Sequence, residues 1–220
     1  MSDPAWVESQ FTRRDGAFRF ARWGRALAPV IVGTNDEGCK IFEDGIRTAA
    51  RIAKLPVEEI DPELGANFLV FLVNDWGELF EAPNLTKLIP NLHDLIETLT
   101  EHEANQYRVF GFENDGAIRF CITLLRYDTE LQKVSAQTLA LGQAFQGLLL
   151  WSDAAFMEES PLAITDDGLC LLKPAYADLL RCAYDPVLPK TSNDPAFALR
   201  LAARLTVAET DAQEHESRDA

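Results

Sequence analysis

The clearest hydrophobic periodicity in the chain follows Asn35, where apolar residues recur at intervals of three and four positions as far as Ala53. This spacing puts them on one face of an α-helix. Asn35 has a side chain suited to capping the start of that helix, and Pro56 follows its end. A short apolar run over residues 28–33 precedes it and favours a β-strand. The apolar positions of the helix are Cys39, Phe42, Ile46, Ala49 and Ala53.

Three further runs have the composition of β-strands. Residues 67–73 are apolar at almost every position, which predicts a strand buried on both faces and central in a sheet. Residues 107–112 and 117–126 are separated by an Asn-Asp-Gly cluster, the signal of a β-hairpin. Alternation predicts that the second hairpin strand has Ile118, Phe120, Ile122 and Leu124 on one face, and Arg119, Cys121 and Thr123 on the other.

Further helices are predicted from the remaining periodic segments. Leucines and isoleucines from Leu85 to Leu99 indicate one amphipathic helix, and the segment from Leu131 to Trp151 indicates another continuous one. Shorter helices are expected near residues 173–183 and 195–207, after a turn-rich loop that runs to Gly168. The order of elements predicts an α+β fold in which helices pack on a mixed β-sheet. The core face of the longest predicted helix carries Leu131, Val134, Thr138, Leu141, Phe145 and Leu148.

Composition limits the number of domains and the kinds of partner. The chain has 220 residues, of which 47% are hydrophobic, and we expect one domain over residues 1–209 with a disordered acidic tail over 210–220. The formal charge of −15 repels phosphate backbones and anionic headgroups, so neither nucleic acid nor a membrane surface is expected as a partner.

The N-terminus and the cysteines bear on localisation. No signal-like apolar core follows Met1, which predicts a cytoplasmic protein as written, or a periplasmic or secreted one if the N-terminus has been trimmed. Cys39, Cys121, Cys170 and Cys182 are scattered, and we interpret them as free thiols, with disulfides as the alternative on export.

Arginine and aromatic residues alternate in the first 25 residues, unlike the rest of this acidic chain. One interpretation is an N-terminal arm that packs its aromatic rings and pairs its arginines with acidic groups. The other is an anion or peptide site. The candidate anion patch consists of Arg13, Arg14, Arg19, Arg22 and Arg25.

The predicted helix from Leu131 to Trp151 has a second stripe opposite its core face. Leu139 and Gln143 are four residues apart and lie one above the other, as the two histidines of a zinc-binding H-E-x-x-H helix do. An alkyl group and an amide cannot bind catalytic zinc, so no metal is expected there. Amides recognise peptide groups without requiring charge, and the stripe is therefore a candidate ligand groove beside the strand 117–126. Its residues are Gln132, Ser135, Gln143 and Gln146, with Arg126 from that strand.

Seven short segments carry a resemblance to a known family: residues 22–23, 29–30, 67–71, 140–148, 151–153, 160–162 and 177–188. They resemble an uncharacterised family of bacterial, mainly alphaproteobacterial, proteins, domain-of-unknown-function family 2927. The resemblance implies an architecture similar to zincin-type metallopeptidases, usually with a secretory signal. The acidic pair of the family would fall on Leu139 and Ala140, and only the following glutamine, Gln143, matches, so the resemblance implies a degenerate active-site helix.

The remaining groups of reactive residues do not indicate a catalytic or metal site. His93 and His102 are nine positions apart and His215 lies in the tail, which is typical of surface histidines. The acidic clusters Glu101-His102-Glu103 and Glu158-Glu159 are interpreted as solvated surface, and Asp166-Asp167-Gly168 is too short for a calcium loop. No nucleotide-binding or nucleophile-elbow motif is present. We therefore predict no catalytic residue, cofactor or metal.

Two hypotheses for the function remain. The first is a non-catalytic binding or scaffold protein with a degenerate zincin-like cleft and a protein or peptide partner. The second is a hydrolase of the peptidase kind, whose catalytic residues come from loops that the sequence alone cannot pair.

Overall fold

The computed structural model describes the backbone of residues 3–216 and the side chains of residues 3–207. The elements alternate between helices and strands in the predicted order, which confirms the α+β fold class. Two 3-10 helices, Trp76–Glu81 and Leu131–Lys133, lie between them. The elements are α1 (Pro4–Ser9), β1 (Phe20–Ala21), β2 (Pro29–Val32), α2 (Asp36–Ile52), β3 (Phe68–Val73), α3 (Leu85–Leu88), α4 (Leu92–Glu101), β4 (Gln106–Phe112), β5 (Ile118–Arg126), α5 (Ala136–Gly147), β6 (Leu162–Ile164), β7 (Cys170–Leu172), α6 (Pro174–Ala183), β8 (Thr191–Ser192) and α7 (Ala196–Glu216).

A four-stranded sheet in the order β2-β3-β5-β4 is the centre of the fold. β3 runs parallel to both β2 and β5, and β4 pairs with β5 in the antiparallel direction, so the predicted mixed sheet is confirmed. β3 is central, as its apolar sequence predicts. Its side chains alternate between two hydrophobic cores, Phe68 and Val70 in the larger and Phe71 and Val73 in the smaller.

The two cores lie on opposite faces of the sheet. The larger core contains α2, α5, α6 and α7 together with the N-terminal residues, and the smaller core contains α4 and the first 3-10 helix. α2 begins as expected, because the Asn35 side chain accepts a hydrogen bond from the backbone N–H of Gly38. No helix within residues 3–216 is both long and apolar enough to cross a membrane.

Two predicted helices are interrupted. The segment from Leu85 to Leu99 divides into α3 and α4, because Pro90 between them cannot continue a helix. The continuous helix from Leu131 to Trp151 was also a wrong prediction. Val134 has the extended value ψ 133°, and Ser135 accepts from the N–H of Thr138, so α5 starts only at Ala136.

Smaller differences concern single faces and loops. Ile118 lies in the larger core, not on the face of Ile122 and Leu124, because a register shift at Phe112 inserts an extra residue into β5. Gly168, where the predicted turn-rich loop ends, lies in the turn of a short hairpin formed by β6 and β7. α7 continues to Glu216, past residue 209, where the ordered domain was expected to end.

Candidate functional site

The predicted glutamine stripe does not form one face of a helix. Gln132 and Ser135 are exposed and precede α5, whereas Leu139 and Gln143 are buried within it. The buried positions Leu141, Phe145 and Leu148 agree with the predicted core face, but Val134 is 36% exposed and does not. α5 is therefore enclosed on nearly all sides in its second half.

The side chains of Gln143 and Gln146 form hydrogen bonds with residues of β4. Arg108 of β4 donates one guanidinium N–H to Oε1 of Gln143 and another to Oε1 of Gln146, the second at 3.2 Å. Nε2 of Gln143 in turn donates to Oε1 of Gln106 at 2.8 Å. We call these four residues, Gln106, Arg108, Gln143 and Gln146, the β4 amide cluster. Burial lowers the pKa of the Arg108 guanidinium.

Arg126, the fifth candidate groove residue, lies on the other face of the sheet. Its guanidinium lies 5.9 Å from the ring centroid of Trp76, in the smaller core, and 3.8 Å from Oδ2 of Asp128. The structure therefore does not bring it together with Gln143. The strand 117–126, beside which the groove was expected, has no free backbone edge for an extended ligand, because β5 is paired on both sides, by β3 and β4.

The five arginines of the candidate anion patch contact different parts of the fold. Nη2 of Arg22 donates to the carbonyl oxygen of Leu188 at 3.0 Å, and its guanidinium lies over the ring of Tyr184. The backbone N–H of Arg14 donates to Asp153 at 3.0 Å. Arg13 lies near Asp153 as well, and Arg19 is exposed.

Arg25 belongs to an ion-pair network at the amino ends of the parallel strands. It binds Asp61 at 3.1 Å, Glu63 at 3.0 Å and also Glu113. Burial by itself would raise the pKa of Asp61, but hydrogen bonds from the backbone of Leu64 and Glu63, from Asn67 and from Arg25 lower it to about 2. This network links the loop before β3 to the hairpin.

A crevice opens at the opposite, carboxyl ends of β2 and β3. β2 is followed by α2 on the face of the larger core, whereas β3 is followed by the 3-10 helix Trp76–Glu81 on the face of the smaller core. Adjacent parallel strands whose connections leave to opposite faces create a crevice at their carboxyl ends, which is where ligands bind in open α/β sheets. This site was not predicted from the sequence, although Gly33 and Asn74, just beyond the two strands, were a signal for it.

The crevice contains a cavity of about 210 Å³. Gly33 at its base has φ +89°, and a Cβ atom there would lie 1.8 Å from the carbonyl oxygen of Leu72, so only glycine fits. The lining has no charged residue, histidine or cysteine. It can therefore enclose an apolar group but offers no acid–base pair. The lining residues are Gly33, Thr34, Gly38, Phe42, Leu72, Val73, Asn74, Tyr127, Val134, Ala136 and Leu139.

The cysteines and histidines are dispersed. All four cysteines are free thiols, and burial raises the pKa of Cys121 to about 11 although Arg108 opposes the shift. His93 is exposed and lies 3.5 Å from Glu97. The side chain of His215 is outside the described residues. Within the described part of the chain, no three His, Cys, Asp or Glu side chains are grouped so that they could hold a metal ion.

Fold and crevice together define an α+β protein with a small apolar site at the carboxyl ends of parallel strands. In comparison with known proteins, no family model, no curated protein and no solved structure matches the chain. Membership of the uncharacterised bacterial family therefore stays a prediction.

Proposed function

We propose that this chain is a non-catalytic binding protein whose crevice receives one apolar side chain of a partner protein. The observation that carries the proposal is the cavity of about 210 Å³, whose lining is mainly apolar and has no ionisable group apart from the phenol of Tyr127. Catalytic pockets usually contain acidic and basic groups whose pKa values are shifted. Pockets that only bind a ligand are mainly apolar and have a few polar groups.

The size of the cavity favours a side chain over a whole metabolite. Pockets that enclose drug-sized ligands have volumes of about 300–1,000 Å³, above that of this cavity. The cavity is lined in part by two large, solvent-accessible side chains, Tyr127 and Val134, which are 43% and 36% exposed. An apolar anchor in a pocket with an apolar rim is the usual arrangement of an interaction hot spot.

The resemblance noted in the sequence supports a degenerate, zincin-like cleft as part of the same proposal. In that comparison the acidic pair of the family falls on Leu139 and Ala140. Leu139 lines the cavity with an alkyl side chain, and Ala140 packs against Gly45 of α2. A crevice in which an alkyl group replaces a carboxylate can bind a ligand, but it lacks the carboxylate that could transfer a proton. No observation in the described residues favours the hydrolase alternative.

The proposal can be tested with single amino acids as probes. N-acetyl amides of phenylalanine, leucine, glutamine and lysine are titrated into isotope-labelled protein while amide NMR shifts are recorded. The phenylalanine and leucine probes should shift the amides of Gly33, Gly38 and Leu139, and the lysine probe should not.

A cavity-filling variant provides the control. Ala136 is exposed at the first turn of α5 and lines the cavity, so Ala136→Leu should fill it and abolish the shifts. Ala163→Leu makes the same change at an exposed position of β6 and should leave the shifts intact. Shifts that persist in Ala136→Leu, or no shifts with any apolar probe, would overturn the proposal.

A further inference from the structure

β4 is an edge strand with unused backbone groups. The N–H of Arg126 donates to the carbonyl oxygen of Asn105, so Gln106 and Leu125 form a pair that is not hydrogen-bonded. Because the pattern alternates along an antiparallel ladder, Arg108 and Phe110 also turn their N–H and C=O groups away from β5. No partner for these outward groups occurs within the described part of the chain.

The same edge carries a cation without a counter-ion. Arg108 donates hydrogen bonds to the neutral amides of Gln143 and Gln146. None of the ion pairs between described residues includes Arg108. Its Nε is buried and has no hydrogen-bond partner. A partly desolvated charge of this kind is costly unless an anion pairs with it.

We propose that β4 binds an acidic, extended peptide segment of a partner protein as an additional antiparallel strand, with a glutamate or aspartate of that segment opposite Arg108. Arg108 would then form a hydrogen-bonded pair with the acidic residue, whose side chain points to the same face of the sheet as the guanidinium. Backbone pairing supplies the affinity, and the ion pair selects the partner. This surface is separate from the crevice, because none of the β4 amide cluster lines the cavity.

The charge of Arg108 also explains why other strands are disfavoured. A neutral strand would bury the guanidinium further without neutralising it, which penalises unspecific edge pairing. A second copy of β4 is a poor partner as well. Its sequence, Gln-Tyr-Arg-Val-Phe-Gly-Phe, contains no carboxylate, and in the symmetric register two Arg108 side chains would face each other.

The test uses three end-blocked peptides in which valine and threonine alternate around a central glutamate, glutamine or lysine. Affinity is measured by calorimetry, and amide hydrogen exchange reports where each peptide binds. The glutamate peptide should bind about 10- to 100-fold more tightly than the glutamine peptide, the range expected when a charged hydrogen bond is gained. The amides of Arg108 and Phe110 should exchange more slowly in the complex.

Variants of Arg108 distinguish the contribution of the ion pair from that of backbone pairing. Arg108→Gln should remove the preference for glutamate, and Arg108→Lys should retain part of it. The control is Arg119→Gln on β5, an arginine already paired with Glu63 at 2.5 Å, which should leave the preference unchanged.

Three results would overturn the proposal. The first is equal binding of the glutamate and lysine peptides. The second is slow exchange of the Arg108 and Phe110 amides in a dimer without peptide, which would identify a second copy as the occupant. The third is acetate binding at Arg108 without protection of these amides by any peptide, which would identify a site for small anions only.

Discussion

The indole Nε1 of Trp23 donates a hydrogen bond to the carbonyl oxygen of Gly147 at 2.9 Å. Gly147 is the last residue of α5, where carbonyl groups have no partner within the helix. Trp23 is fully buried and packs on Phe68 of β3. Trp23 thus supplies a hydrogen-bond donor to the C-terminal end of α5.

We expect Trp23→Phe to lower the free energy of unfolding. It leaves a buried acceptor unpaired, which costs about 1–3 kcal/mol, in addition to the lost ring volume. Trp151→Phe serves as the comparison, since its indole makes only a long contact of 3.4 Å with the carbonyl oxygen of Phe145. Chemical denaturation should show the larger loss for Trp23→Phe, and equal losses would contradict the role assigned to the hydrogen bond.

Gly45 lets α2 and α5 approach closely. A Cβ atom at this position would lie 2.9 Å from the carbonyl carbon of Ala140. Alanine is normally about 1 kcal/mol more favourable than glycine inside a helix, but here the clash with backbone should reverse the sign. Thermal melts should show Gly45→Ala destabilised. Gly142→Ala, whose Cβ would meet only the movable side chain of Leu162 at 3.2 Å, should be close to neutral or stabilised.

Phe145 is the main core residue of α5, fully enclosed and in contact with the rings of Trp151 and Phe156. Replacing it by alanine should cost about 3–5 kcal/mol through lost burial and the cavity left behind. Phe80→Ala removes a ring that is 46% exposed and should cost much less. An unchanged melting temperature for Phe145→Ala would contradict the packing of this helix.

The contribution of the Asp61 network to the free energy of unfolding should depend on pH. Because the pKa of Asp61 is about 2 in the folded protein and about 3.9 for an unfolded aspartate, its contribution is complete above pH 4. It should be lost as the pH falls through 2. Denaturation midpoints measured between pH 5 and 2 should fall less steeply for Asp61→Asn than for the unaltered chain, and parallel curves would refute the linkage.

Elements specified by neighbouring residues were predicted well. The side chain of Asn35 and the spacing of Phe42 and Ile46 are sufficient to define α2, because capping and amphipathicity are local properties. The hairpin of β4 and β5 follows from its Asn-Asp-Gly turn in the same way. The two interrupted helices were also marked locally, by Pro90 and by Ser135, but the apolar spacing continued across both and concealed the breaks.

The sites depend on contacts that the sequence cannot pair. Gln143 was interpreted as part of a polar face, yet it is buried because Arg108, far away in the chain, supplies its hydrogen bond. The prediction from alternation in β5 was wrong at Ile118. A β-bulge changes the face there, and its position depends on the pairing with β4. The crevice arises from the faces on which successive connections pack, which is a property of the topology.

The position of the N-terminal residues has a consequence for biosynthesis. β1 pairs Phe20 with Ser192 and Ala21 with Thr191, and α1 contacts α7. These partners are synthesised long after Phe20, so Phe20 remains unshielded by them until they emerge from the ribosome, and is exposed to chaperones and proteases until then. Ribosome-bound chains of increasing length should become protease-resistant around Phe20 only after α7 has emerged, and earlier resistance would show that other segments shield this ring during synthesis.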